Sequence, residues 1–105
     1  MITYARGDYG SLAGISIPVT HVDGTAFDLT GKTVHFKAWD PKTPLSPFLN
    51  VEAVVINPPA DGLAVYTPAL GEIDTVGDYD CEAEVSIAGS VVSTIKDKLK
   101  VVESA

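Results

Sequence analysis

The chain has 105 residues, of which 46% are hydrophobic, and its 14 acidic and 7 basic side chains give a formal net charge of −7. This length corresponds to a single domain, residues 1–105, with enough apolar side chains to bury a core without metals or disulfides. The acidic balance excludes the basic surface of a nucleic-acid-binding protein and any attraction to anionic lipid. No apolar run approaches the roughly 18 residues of a membrane span. From the charge and the lack of such a run, we expect neither nucleic acid nor membrane as a partner.

Short apolar segments separated by turn residues predict β-strands. They are residues 2–5, 12–20, 33–39, 49–56, 63–67, 78–86 and 91–102, with a short link at 26–29 and a crossing segment at 69–76 that has room for one helical turn. No segment has a sustained helical period. Pro18 marks an edge or a bulge because proline cannot donate a ladder hydrogen bond, and docking is therefore expected at the end loops or the opposite edge. The pattern predicts an antiparallel β-sandwich of about seven to eight strands.

The last two segments predict a hairpin around a three-residue loop, Ile87-Ala88-Gly89, with Gly89 in the left-handed conformation. Its register pairs apolar residues on one face and opposite charges on the other: Val85 with Val91, Ala83 with Ser93, Cys81 with Ile95, Asp80 with Lys96 and Asp78 with Lys98. Asp97 then lies on the apolar face opposite Tyr79, which predicts a bulge or the rim of the core there.

Tyr79, two residues before Cys81, matches the F strand of an immunoglobulin domain, in which the tyrosine hydroxyl bonds back across the preceding corner. Trp39 lies on the strand that carries the core tryptophan of such domains, although its alternation partners are polar. A single cysteine cannot form an internal disulfide, and the second strand offers aliphatic residues instead: Ile15, Ile17 and Val19. We therefore expect an immunoglobulin-like sandwich without a disulfide.

The residues that could carry chemistry have simpler structural roles. His21 and His35 have no serine or cysteine partner that suggests a nucleophile and base. Cys81 is expected in the core as an unreactive thiol. Four carboxylates are spaced by two residues along one predicted strand: Asp78, Asp80, Glu82 and Glu84. At this spacing they point away from the strand into solvent and do not converge on a calcium ion. We therefore expect a solvated face whose charge is partly neutralised by Lys96 and Lys98. We therefore expect no enzyme, no metal and no cofactor.

Two loops supply candidate protein contacts. Arg6, Asp8 and Tyr9 lie in the turn after the first strand, and Leu45 and Phe48 lie in and after the proline-rich stretch 41–47. If Leu45 and Phe48 are exposed beside each other, they anchor a partner. If they fold back, they cap the sandwich.

Several segments, taken in order, resemble one family. They are RGDYGSL at residues 6–12, DGT at 23–25, DLTGKTVHF at 28–36, DGLAVYT at 61–67 and GDY at 77–79. Over residues 3–102 the chain resembles the N-terminal domain of phage baseplate upper proteins, the adaptors that carry receptor-binding proteins in siphophages of Gram-positive bacteria, and related immunoglobulin-like phage tail domains.

The resemblance implies a non-enzymatic phage structural protein that attaches to the tail, baseplate or another virion part through protein–protein contacts. It implies assembly in the bacterial host cytoplasm, and it is compatible with a homo-oligomer in a symmetric assembly. The sequence ends at Ala105 without the trimerisation segment of that family, so we expect an isolated module or a short relative. The alternative is a carbohydrate-binding or adhesion module on a virion or bacterial surface, with aromatic platforms from Trp39, Tyr4, Tyr9 and Tyr66.

Overall fold

The computed structural model describes residues 1–21, 23–43 and 47–104, except for the side chains of residues 47 and 93–95. The described chain forms seven strands: β1 Ile2–Ala5, β2 Ile15–Pro18, β3 Thr33–Trp39, β4 Pro47–Val55, β5 Leu63–Tyr66, β6 Gly77–Ile87 and β7 Ser90–Val102. Short 3₁₀ turns occupy Ser11–Ala13 and Pro59–Asp61. In these parts of the chain no helix is long and apolar enough to cross a membrane.

The strands form one curled sheet in the order β1-β7-β6-β3-β4-β5-β2. β4 belongs to both layers, since it pairs with β3 along most of its length and with β5 at Val54 and Val55. All pairings are antiparallel except β1 with β7. The neighbours β3, β6 and β7 correspond to strands C, F and G of an immunoglobulin sandwich, and β2 beside β5 corresponds to B and E. The predicted all-β, immunoglobulin-like fold is confirmed, and Cys81 is free.

The core has aromatic residues at its centre. Phe36 of β3 stacks on Tyr66 of β5 with ring centroids 4.9 Å apart, and both side chains are buried. Trp39 lies on the opposite face of β3 and is half-buried. The Tyr79 hydroxyl donates a hydrogen bond of 2.8 Å to the Thr75 carbonyl, which confirms the predicted tyrosine corner. Phe36 therefore supplies the core ring that the position of Trp39 suggested.

The predicted register of the β6–β7 hairpin is wrong. The turn contains only Ala88 and Gly89, because Ile87 pairs with Ser90, although Gly89 has the expected positive φ of 79°. A register shift between Glu82 and Glu84 then places one extra residue on β7. The two displacements bring different residues opposite each other: Val85 and Val92, Cys81 and Asp97, Asp80 and Lys98, Tyr79 and Leu99, Asp78 and Lys100. Acids still face lysines because a shift of two preserves the alternation.

Two predicted segments are shorter or differently folded. The second strand begins at Ile15 because Ser11–Ala13 forms a 3₁₀ turn closed by a bond of 3.2 Å from the Gly14 N–H to the Ser11 carbonyl. Residues 69–76 make a turn closed by the Glu72 N–H on the Ala69 carbonyl at 3.0 Å, and no helical turn forms there. Both segments become loops at one end of the sandwich.

Candidate protein-docking surface

Two loops meet at the end of the sandwich where β1 and β7 finish. Residues 6–14 connect β1 to β2, and residues 67–76 connect β5 to β6. The Gly7 N–H donates to the Ile73 carbonyl at 2.7 Å, and the Gly10 N–H donates to the Pro68 carbonyl at 2.9 Å. Because two backbone hydrogen bonds join them, the loops form one surface, here called the loop end.

Buried tyrosines hold the loop end onto the core. The Tyr4 hydroxyl donates to the Ala13 carbonyl at 2.8 Å, and the Tyr66 hydroxyl donates to Oε1 of Glu72 at 2.5 Å. The same carboxylate oxygen accepts the Ala69 N–H at 3.2 Å. Burial, followed by the nearby Asp8 and Glu72 carboxylates, raises the pKa of Tyr4 to about 12. Burial and the bond to Glu72 also raise the pKa of Tyr66, so both phenols stay protonated donors at neutral pH.

The predicted contact residues of the first loop have different environments. Arg6 pairs with Glu103, with Nη2 and Oε1 2.7 Å apart. Oδ2 of Asp8 accepts the Ala5 N–H at 2.9 Å, so this carboxylate closes its own turn. Tyr9 is 57% exposed. Of these three side chains, Tyr9 presents apolar surface to solvent, while the other two fix the loop.

The proline-rich connection contributes less than expected to an exposed surface. Leu45 lies outside the described residues. Phe48 stacks on Tyr79 with centroids 4.3 Å apart and an interplanar angle of 9°, and it packs against the core. The adjacent Leu49 is also buried there, because a register shift at Trp39 turns both side chains inward. Phe48 therefore folds back and caps the sandwich.

Two exposed leucines at the loop end were missed by the sequence analysis. Leu12 is fully exposed at 103%, and Leu70 is 77% exposed. The sequence pattern places Leu12 at the start of a strand, but in the structure it projects from the 3₁₀ turn Ser11–Ala13. Leu70 precedes Gly71 in a segment that lacks the alternating pattern of a strand. A leucine in such a turn was the sequence signal that could have indicated its exposure. The exposed large apolar side chains of the loop end are Tyr9, Leu12, Leu70 and Val76.

The carboxylate stripe lies on the outer face of β6, as predicted. Its members alternate with the buried Tyr79, Cys81 and Ala83. Lys98 forms an ion pair with Asp80, and Nζ of Lys37 lies 3.0 Å from Glu84. The described residues contain no group of three or more acidic, histidine or cysteine side chains able to hold a metal ion.

The residues considered for catalysis are dispersed. His21 stacks on Phe27 with ring centroids 4.6 Å apart, in the connection between β2 and β3. His35 is on the outer face of β3, opposite Glu52 and Glu84 in the two adjacent strands. Cys81 is buried, and this burial followed by the nearby Asp97 raises its pKa to about 11. A buried thiol that remains protonated at neutral pH is a poor nucleophile.

The raised pKa of Cys81 predicts a loss of stability in alkali. The folded-state pKa of about 11 exceeds the ordinary thiol pKa of 9.0, so between these values the folded state binds more protons than the unfolded state. The stability that the protonated thiol contributes to the folded state is complete below about pH 9 and disappears as the pH rises towards 11. Urea unfolding under reducing conditions should therefore show a midpoint that falls across this range, and more shallowly in Cys81→Ala. Equal slopes in the two proteins would exclude the thiol as a cause.

No protein-family model matches the chain, and no curated protein matches it. The loop end and the sequence resemblance therefore remain as the two indications of function.

Proposed function

We propose that the chain is a non-enzymatic structural module of a phage particle that attaches to the tail or baseplate through protein–protein contacts at the loop end. The observation that carries the attachment role is the exposure of Leu12 and Leu70 on loops that are hydrogen-bonded to each other. The order and spacing of the segments that resemble phage baseplate domains support the phage assignment.

The loop end has the physical properties of a docking surface. Burying a leucine side chain contributes roughly 1.5–3 kcal/mol, so two leucines and Tyr9 offer a substantial gain that the isolated domain does not use. Because the tyrosine bonds and the interloop bonds already fix the backbone, little ordering entropy is lost on binding. Multiple copies in a symmetric virion would strengthen a contact that is small in each copy.

The arrangement of aromatic residues gives less support to the carbohydrate-binding alternative. Tyr4 and Tyr66 are in the core, which corrects their assignment as exposed platforms. Trp39 is half-buried on β3, whereas Tyr9 belongs to the β1–β2 loop. The four aromatic side chains therefore do not form one sugar-binding surface.

A double variant, Leu12→Ser with Leu70→Ser, tests the attachment. Phage particles should be purified from host cells that carry the gene, and the chain should be quantified in them by mass spectrometry and located by immunogold electron microscopy. We expect the native chain on the tail or baseplate in a fixed copy number. The double variant should be incorporated at least about tenfold less, because the apolar anchors of an interface dominate its affinity.

The matched control is Val54→Ser, which removes another exposed apolar side chain on β4, outside the loop end. This variant should be incorporated normally. Both variants should melt within a few degrees of the native protein, since surface substitutions change stability little. Absence of the native chain from purified particles would refute the phage role, and normal incorporation of the double variant would refute the loop end as the interface.

A further inference from the structure

The two ends of the curled sheet do not pair with each other. Within the described chain, β2 pairs only with β5. β7 pairs with β1 only from Leu99 to Val102, so residues 90–98 have β6 as their one strand neighbour. The gap between β2 and this part of β7 is called the seam here. An unpaired strand edge presents backbone donors and acceptors that another extended chain can use.

The seam side of β2 offers mainly acceptors. The Val19 N–H donates to the Gly62 carbonyl at 2.7 Å, which directs Val19 towards β5. The backbone N–H and C=O groups of successive residues point to opposite sides of a strand. The backbone groups of Ser16 and the carbonyl of Pro18 therefore point to the seam. Proline has no N–H, so β2 pairs poorly there. Apart from the bulge between residues 93 and 96, the β7 edge is therefore the better site for strand pairing, and β2 forms the opposite wall.

An apolar cavity opens between these walls. Its volume is about 170 Å³, and it is lined by Ile2, Ser16, Ile17, Pro18, Phe36, Cys81, Glu82, Ala83 and Asp97. Well-packed protein interiors leave few voids larger than a water molecule. A cavity of about 150 Å³ with aliphatic and aromatic walls accepts benzene, so this one can accept the side chain of an isoleucine or leucine.

The charge at the seam indicates the occupant. Asp97 lines the cavity, and its carboxylate pairs with the terminal ammonium of Met1 at 3.3 Å, so a cation of a partner would replace or join Met1 there. Lys96 and Lys98 flank Asp97, but the whole chain has a net charge of −7, so two copies of it repel each other overall. Like charges across an interface are unfavourable. A different, basic chain is therefore the better match.

We propose that the seam is a strand-acceptor site, in which an extended segment of a partner protein pairs with residues 90–96 of β7, inserts an apolar side chain into the cavity and places a lysine or arginine near Asp97. Addition of a strand to an exposed sheet edge is an established mode of peptide recognition. The inference adds a second contact to the proposed attachment role and rests on that role, but its test uses residues outside the loop end.

The test uses the intact chain and a synthetic peptide, acetyl-KTITITITK-amide, which alternates apolar and polar residues between lysines. Binding should be measured by calorimetry and by NMR of the ¹³C-methyl groups of Ile17 and Ala83. We expect saturable binding that shifts these methyl signals, and benzene, as a probe of the cavity alone, should shift the same signals and be displaced by the peptide. Replacing both peptide lysines with glutamates, or methylating alternate backbone nitrogens, should weaken binding at least about tenfold.

A variant pair tests the protein side of the contact. Asp97→Lys should weaken peptide binding at least about tenfold, whereas Glu52→Lys, which makes the same charge change on the exposed outer side of β4, should leave it nearly unchanged. Circular dichroism melts check that both proteins remain folded. The peptide and benzene experiments on the native chain need no substitution, so they remain informative if Asp97→Lys fails to fold.

Several results would overturn the strand-acceptor site. These are absence of peptide binding at millimolar concentration, equal binding of the glutamate or N-methylated peptides, and methyl shifts that avoid the seam. A dimer in ultracentrifugation that the peptide dissociates would show that a second copy occupies the seam, contrary to the proposal. The Leu12→Ser, Leu70→Ser variant should bind the peptide normally, which separates a failure of this site from a failure of the loop end.

Discussion

Replacing Gly62 with alanine is expected to lower the free energy of unfolding by about 2–5 kcal/mol, a large part of the stability of a domain this size. Gly62 follows the 3₁₀ turn Pro59–Asp61 and has a φ of 68°. A Cβ atom there would lie 2.7 Å from the Val19 carbonyl oxygen, and 2.8 and 2.9 Å from the carbonyl oxygen and nitrogen of Phe27. Backbone atoms at such distances must move.

These backbone atoms cannot move without breaking hydrogen bonds. The Val19 N–H donates to the Gly62 carbonyl at 2.7 Å, and the Phe27 N–H donates to the Val19 carbonyl at 2.9 Å. Val19 is also fully buried, so a displaced carbonyl would lose its partner away from water. The expected cost therefore combines a left-handed alanine, a steric overlap and a weakened hydrogen-bond network.

Gly89→Ala is the matched control. Gly89 has a similar φ of 79°, but nothing lies within 4 Å of the position of its Cβ. It should lose only about 1–2 kcal/mol, the cost of the left-handed conformation. Urea unfolding followed by circular dichroism measures both variants. Equal losses would show that the close approach of Val19 and Phe27 has no energetic effect.

The crowding around Gly62 could not be predicted from the sequence. Asp61-Gly62 is a turn signal by local chemistry alone. The atoms that exclude a side chain belong to Val19 and Phe27, far away along the chain, and only the packing of β2 against β5 brings them close. In general the local signals were sufficient for the approximate positions of the strands and for the tyrosine corner, because each depends on neighbouring residues.

The register and the exposed surface depend on longer-range geometry. The β6–β7 pairing could not be predicted because a three-residue loop and a two-residue turn fit the same Ala88-Gly89 sequence, and the bulge near Glu82 has no glycine to mark it. At the loop end, the turn chemistry of residues 6–10 identified the correct loop. The exposure of Leu12 and Leu70 follows from how two loops pack, which residue periodicity does not encode.

Phe36→Ala is expected to destabilise the protein by about 3–5 kcal/mol, whereas Trp39→Ala should cost about 1 kcal/mol. Phe36 is buried and stacks on Tyr66, so its removal leaves a cavity next to an aromatic ring that also orients Glu72 of the loop end. Trp39 is half-buried on the outer face of the same strand, where solvent can replace part of its contacts. The aromatic residue that secures the two layers is therefore Phe36.

The comparison should be made by urea and thermal unfolding with circular dichroism, because Trp39 is the single tryptophan and its removal abolishes the fluorescence signal. At roughly 4–8 °C per kcal/mol, Phe36→Ala should lower the melting temperature by about 12 °C or more, and Trp39→Ala by less than about 8 °C. Phe36→Leu refills most of the space and should recover more than half of the loss. A larger loss in Trp39→Ala than in Phe36→Ala would mean that the tryptophan supports the core, as it does in immunoglobulin domains, and that the assignment of the two faces of β3 is wrong.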